Sequence, residues 1–237
     1  MGNAKNIKVR PISAEAARHT VKMYHYSGKV VNNSRLNLGV YYNKRLEGVM
    51  QYGPSMDKSK LQGLVEGTTW NGFIELNRMA FSDRLPRNSE SRALAISFRL
   101  IKKHYPHIKW IVSFSDATQC GDGTIYRAAG FVLTGITKNK SIYQFPTGHR
   151  LAQMTMSANW DVEIMRQVCE QMGIEQKYRT AKEWKELGVE QLPGYQMRYL
   201  YFLDPSARER LTVEILPFSK IAEMNAGMYK GKKISRD

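Results

Sequence analysis

Cysteine is nearly absent: Cys120 and Cys169 are the only two in 237 residues. Two thiols cannot form a disulfide framework, and their scarcity points to a reduced, cytoplasmic setting. No apolar run approaches the roughly 20 residues that a membrane-spanning helix needs. The first ten residues, M-G-N-A-K-N-I-K-V-R, lack the apolar core of a secretion signal. Asn6 also stands where N-myristoylation asks for Ser or Thr. Metal-ligand spacing is equally wanting, because the five histidines are scattered and His104 and His107 are separated by the helix-breaking Pro106. Internal repeats and low-complexity segments are missing. Acidic residues are scarce beside basic ones, 21 against 36, which leaves a formal charge of +15.

A hydrophobic content of 42% and a charged content of 24% are those of an ordinary globular chain. The length suits one domain with an elaboration better than two equal domains. The excess of positive charge runs along the chain rather than sitting in one tail, which calls for a polyanionic partner. Nucleic acid fits, since neutralising phosphates releases counterions whatever the base sequence.

Hydrophobic periodicity predicts a strand at 7–12, followed by a helix capped by Ser13 and running to about Tyr26, with Gly28 beyond it. Residues 36–42 and 46–52 read as a hairpin about Asn43-Lys44-Arg45. A strand at 73–81 carries the polar pair Asn77-Arg78 in an apolar setting. An amphipathic helix over 91–105 has Leu94, Phe98, Ile101 and Tyr105 on its buried stripe and stops at Pro106. A buried strand from Trp110, a short helix around Tyr126 and a strand from Phe131 follow. Residues 143–194 read as an insertion of about two helices, one carrying Trp160, Ile164, Val168 and Met172, the other opening on the capping box Thr180-Ala-Lys-Glu183. The last core strand is expected at 197–203 within a 195–218 segment. Residues 219–237, with Lys230, Lys232, Lys233 and Arg236, read as a basic, flexible arm suited to phosphates.

The group Y-R-A-A-G-F-V at 126–132 resembles the closing motif of the GNAT N-acyltransferase superfamily. The order strand, helix, three strands, helix, strand, helix, strand is also that of the superfamily. The resemblance implies an α/β fold: a mixed, partly splayed central sheet with helices on both faces over 1–142. Four further strings narrow the match: H-Y-S-G-K at 25–29, L-N-R-M-A-F-S-D at 76–83, L-P-R-N-S-E-S-R-A-L at 85–94 and F-S-D-A-T-Q-C-G-D-G-T-I-Y-R-A-A-G-F at 114–131. Together they resemble the Mom family of DNA-modification proteins of Mu-like phages. That resemblance implies a cytoplasmic enzyme that converts adenines in double-stranded DNA to N6-carbamoylmethyl-adenine and so shields phage DNA from restriction.

The chemistry assigns expected roles. The N6 amine of adenine is a weak nucleophile held in a base pair, so the base has to leave the duplex and meet a general base. His25 is the expected base and Tyr26 the ring that stacks on adenine. Asp116 would orient His25 or take the N6 proton, or else cap the next turn. Tyr126, by resemblance, would protonate the leaving group. Arg78 would hold the donor carbonyl or a phosphate, its structural alternative being an ion pair with Glu75 or Asp83. Arg87, Ser89, Ser91 and Arg92 form the expected donor loop, and Lys29, Lys230, Lys232 and Lys233 the DNA contacts. Glu90 stands where acyl-CoA enzymes of the superfamily have a glycine, and a carboxylate there repels phosphate. The acyl donor is open between acyl-CoA, which Glu90 disfavours, and glycyl-tRNA, since relatives of the fold use aminoacyl-tRNA. A carbamoylmethyl group has one nitrogen more than acetyl, and its atoms match a glycyl unit. Two other readings are open: an acyl-CoA-dependent acyltransferase for a protein or small amine, and a non-catalytic DNA-binding protein.

Overall fold

A computed structural model describes residues 3–234. In chain order, β1 (Lys8–Pro11) leads into α1 (Ala14–Tyr24), and the Ser13 hydroxyl accepts the Ala16 amide at 3.1 Å as the helix cap. β2 (Leu36–Tyr42) and β3 (Arg45–Gly53) form a hairpin whose turn residues Asn43 and Lys44 take φ of 48° and 65°, the left-handed pair of a two-residue turn. Next come α2 (Lys58–Gln62), β4 (Phe73–Phe81), α3 (Ser89–His104), β5 (Trp110–Ala117), α4 (Thr124–Ala128) and β6 (Val132–Lys138). β7 (Ile142–Gln144), β8 (Arg150–Ala152), α5 (Gln153–Ser157), α6 (Glu163–Gln171), α7 (Ala181–Glu186) and β9 (Glu190–Gln191) follow. The chain then returns through β10 (Tyr195–Phe202), α8 (Ser206–Glu209), α9 (Ser219–Glu223), β11 (Met228–Tyr229) and β12 (Lys232–Lys233).

The main sheet has seven strands in the order β1-β2-β3-β4-β5-β10-β6. All neighbours are antiparallel except β4 and β5, which run parallel and pair only through Phe73–Trp110, Ile74–Ile111 and Glu75–Val112. Beyond Glu75 the two strands diverge. β4 also bulges there: Gln51 faces Arg78 and Tyr52 faces Leu76, which leaves Asn77 without a β3 partner. The mixed, splayed sheet expected from the element order is present.

One face of the sheet packs Leu38, Met50, Tyr52, Leu76 and Ile111 against Leu94, Phe98 and Ile101 of α3. The opposite face is covered twice. Ala17 and Val21 of α1 lie over Val49 and Ala80, while Leu61, Leu64, Val65 and Ala207 lie over Phe73, Trp110, Val112 and Leu200. Between these covers part of the face stays open, and Phe114, in the middle of the buried β5, is 40% exposed.

Four expectations need correction. α1 ends at Tyr24, so His25 is its C-terminal cap residue in an extended conformation. α3 begins at Ser89 rather than Ser91, because Asn88 takes the left-handed conformation (φ 68°) that a short polar side chain tolerates. Residues 143–194 contain α5 as well as two longer helices, and a three-stranded sheet in the order β8-β7-β9. Strands of two or three residues are too short for periodicity to register. Residues 219–234 are folded rather than flexible: Ile221 and Ala226 enter the main core, and the β11–β12 hairpin is tied to the β5–α4 loop by Gly231 N–H to Cys120 O at 2.8 Å and Asp122 N–H to Met228 O at 2.9 Å. Arg236 lies outside the described residues.

Candidate active site

The divergence of β4 from β5 places side chains of α1, β4, β5 and α4 around one opening. His25 and Tyr26 stand at its rim because the chain leaves α1 in an extended step at His25 and turns at Gly28 (φ 60°). Their rings are 4.4 Å apart and tilted by 31°. His25 Nδ1 lies 2.8 Å from Ser27 Oγ and 3.2 Å from the Ser27 amide, so Ser27 fixes the ring. Burial, reinforced by the positive charge of Arg78 and opposed by Asp116, lowers the His25 pKa to about 4. The imidazole is neutral at physiological pH and able to take a proton.

Tyr26 donates its hydroxyl to Asp116 Oδ2 at 3.0 Å. The ring keeps half its surface exposed, yet the hydroxyl end is enclosed, and this burial together with the Asp116 charge pushes the phenol pKa well up. Asp116 also accepts from Gln119 Nε2 at 3.1 Å, Gln196 Nε2 at 3.0 Å, the Thr118 amide at 2.9 Å and the Thr118 hydroxyl. A carboxylate has about four lone-pair sites, and five donors occupy those of Asp116. It therefore anchors Tyr26 and the loop after β5. It makes no hydrogen bond to His25 among the described residues, so the expected orienting pair is instead Ser27 with His25.

Arg78 follows the β4 bulge, with Nε on the Lys29 carbonyl at 3.1 Å and a terminal nitrogen on the Asn77 carbonyl at 2.9 Å. Neither proposed carboxylate partner holds it: Asp83 lies 3.5 Å from Lys230, and among the described residues Arg78 has no ion pair. Burial and Arg78 both lower the pKa of the exposed Lys29, so two cations share this side of the opening. Tyr126 faces it from α4, its ring 5.3 Å from Tyr199 and 5.2 Å from Phe131. Burial raises the Tyr126 pKa to about 12, against a hydrogen bond with Ser113 that lowers it. The phenol thus holds its proton at neutral pH. Cys120 is also protonated, because burial and the neighbouring Asp116 charge raise its pKa.

The expected donor loop is a mixed case. The Ser89 hydroxyl is fully buried and has no hydrogen-bond partner among the described residues, beside first-turn amides that a helix leaves unpaired. Arg87 and Arg92 are exposed on either side. Those features fit an anionic group at the start of α3. Ser91 instead turns back on its own helix, donating to Asn88 O at 3.2 Å. Lys230, Lys232 and Lys233 lie on the hairpin that packs on Cys120, next to the opening.

Sequence reasoning missed several residues here. Glu75, expected only as an alternative partner of Arg78, is half-buried, with a carboxyl pKa raised by burial against hydrogen bonds to Ser55 and Asn77 and the charge of Arg78. Phe114 projects from the same face as Asp116, two residues on, and the open patch beside it carries Arg198, whose position in β10 is opposite Phe114. Alternation along a strand hid it, because a phenylalanine between buried residues reads as core. Ser113 gave no signal, as only the splay brings it to Tyr126.

Known proteins resemble the chain in sequence and in fold. The model of the Mom protein family matches residues 6–220. The methylcarbamoylase mom of Escherichia phage Mu is 33% identical over 213 residues, covering 90% of this chain and 82% of that protein. Among solved structures, the ribosomal-protein-S18-alanine N-acetyltransferase from Escherichia coli covers 84% of this chain and 94% of its own, with 10% identity and a TM-score of 0.44. A Bacillus subtilis acetyltransferase in complex with CoA covers 83% and 97%, with 9% identity and a TM-score of 0.40. The match over 6–220 and the likeness to the phage Mu protein together place this chain in the Mom protein family.

Proposed function

We propose that this chain is a DNA-modification transferase that converts adenine in duplex DNA to N6-carbamoylmethyl-adenine. The observation that carries this reading is the meeting, at the β4–β5 opening, of a neutral His25, a protonated Tyr126 and an Arg78 that forms no ion pair among the described residues. A general base, a general acid and a cation for developing oxyanion charge are what acyl transfer to a weak amine requires. Family membership and the +15 charge support DNA as the acceptor.

In this reading adenine leaves the duplex and lies on the open sheet face, with its ring against Phe114 and Tyr26. Tyr26 is steadied by Asp116, and its ring is already shared with His25. His25, held at Nδ1 by the amide and hydroxyl of Ser27, takes the N6 proton as the bond to the donor carbonyl carbon forms. Arg78 stabilises the oxyanion. Tyr126 protonates the departing oxygen or sulfur of the donor, whose anionic part is held by Ser89, Arg87 and Arg92. The transferred group is glycyl. Its free amine then attacks C6, the bond from C6 to the original nitrogen breaks, and that nitrogen becomes the terminal carboxamide. No oxidant or further co-reactant is needed, and every atom of the C2H3NO increment comes from glycine and the adenine amine.

The test is mass spectrometry of nucleosides from DNA of cells expressing the chain, grown with 15N-glycine. A deoxyadenosine heavier by one C2H3NO unit and carrying one 15N more than the unmodified deoxyadenosine of the same DNA supports the reading. The same species with no such excess label refutes the glycyl route, and unmodified DNA from folded protein refutes the function.

A further inference from the structure

A cavity of about 730 Å³ opens at the far end of the loop that begins at His25. Its wall is aromatic, with Trp70, Phe73 and Tyr105, its charged lining is Arg35 and Lys58, and the His107 imidazole lies beside them; among the described residues no Asp or Glu lines it. Trp70 is 54% exposed and Tyr105 39% exposed, so large aromatic faces are offered to solvent rather than packed. The Lys58 ammonium sits 4.6 Å from the Trp70 ring centre and donates to Asn71 Oδ1 at 3.1 Å, which holds a positive charge against the aromatic wall. Arg35 is anchored through its backbone, which bonds Tyr52 O at 2.7 Å, and its side chain has no ion pair among the described residues.

A purely apolar ligand has no use for these cations, and a bare anion has none for the aromatics. A planar ring joined to a phosphate uses both, and the volume lies within the roughly 300–1,000 Å³ of small-ligand sites. The cavity also adjoins the candidate active site: Ser55 in its wall hydrogen-bonds Glu75, whose strand partner is Gly53 of the same wall. We infer that this cavity receives an unpaired nucleotide of a nucleic acid handled by the enzyme, its base on Trp70 and its phosphate on Arg35 and Lys58. The inference deepens the proposed function and rests on that reading. The nucleotide comes either from the DNA strand beside the displaced adenine or from the single-stranded end of an RNA donor, and the same chemistry serves both.

Fluorescence anisotropy on the full chain separates these sources, using a labelled duplex with one extrahelical nucleotide and a labelled RNA hairpin with a single-stranded 3′ end. Trp70→Ala is expected to weaken one of the two by about tenfold, the loss of one stacked base. Trp70→Phe should retain most of the affinity. Lys58→Ala should reduce the dependence of log affinity on log salt by about one for the same nucleic acid. An effect on the duplex alone assigns the DNA strand, and an effect on the RNA alone assigns the donor. Unchanged affinity of a folded Trp70→Ala for both probes overturns the inference. If that variant does not fold, an unchanged salt slope in Lys58→Ala for both probes overturns it instead. Since binding is read directly, absence of modified adenine would refute the proposed function while leaving this comparison readable.

Discussion

In the unit formed by residues 139–194, charged side chains pair on the surface and apolar ones fill a small core. Arg166 bridges Glu163 and Glu170, Thr180 and Glu183 close a capping box, and Phe145, Met165, Val168 and Trp184 pack inside. Around the β4–β5 opening the arrangement is reversed. His25 is enclosed but pairs with no carboxylate among the described residues, and Glu75 and Tyr126 are buried against their ionised forms. Five buried side-chain polar atoms lack partners among the described residues. Four of them, in Ser34, Gln51, Asn77 and Ser89, lie in β3, β4, the 25–35 loop and the start of α3; only the Trp184 indole lies in the small unit. Native proteins seldom leave such atoms unpaired, and four of the five found among the described residues lie outside the small unit.

The sharpest way to break this contrast is His25→Ala. It should lower the yield of modified nucleoside by 100-fold or more, given the roughly 10²–10⁴ that general-base catalysis contributes, with little change in melting temperature. A large loss of stability instead would make His25 a structural residue. Trp184→Ala is the opposite case. It should cost about 3–5 kcal/mol of stability in denaturant titration while modification per folded molecule persists.

Tyr26→Phe removes one donor from Asp116. Four donors to Asp116 remain, so the loss of stability should stay below the roughly 1.5–3 kcal/mol of a hydrogen bond to a charged group. Modification should fall several-fold as the ring loses its tether, read by the same mass spectrometry. Retained activity would leave Tyr26 as a stacking ring only.

The pH dependence follows from the His25 pKa of about 4, below its ordinary value. Activity should be level through pH 6.5 and fall as the pH approaches 4. The sign for stability is the same: the unfolded chain binds the proton first, so stability is lost as pH drops from 6.5 through 4. The His25 share is at most about 3 kcal/mol, and less for a partly solvated ring. His25→Gln should show a shallower acid loss in thermal melts at matched pH values. The smallest effect is expected from Thr180→Ala, about 1 kcal/mol for a lost helix cap, confined to the 139–194 unit and silent in modification.

The sequence expressed most clearly what depends on neighbours in the chain. Ser13 and the Thr180-to-Glu183 box capped their helices as read, and the Asn43-Lys44 turn set the register of its hairpin. The N-terminus of α3 was misjudged by two residues because Asn88 took a conformation that propensity assigns to glycine. The 219–234 segment was misread because lysines dominate its composition, while Ile221 and two backbone bonds to the β5–α4 loop decide its fate.

By itself, the sequence determined the α/β element order, the basic character and the family, since each follows from local pattern or from strings that lie contiguous in the chain. The tertiary structure alone decided the site. His25 meets Arg78 and Asp116 only because β4 bulges and parts from β5, and Asp116 anchors the loop after β5 only because Gln119, Gln196, Thr118 and Tyr26 converge on it. Phe114 becomes an exposed platform because α1 and the 58–65 segment cover the sheet on either side and stop short of it. Protonation states, lone-pair occupancy and exposure belong to groups distant in sequence, and burial and electrostatics act between them only once the fold has set their distances.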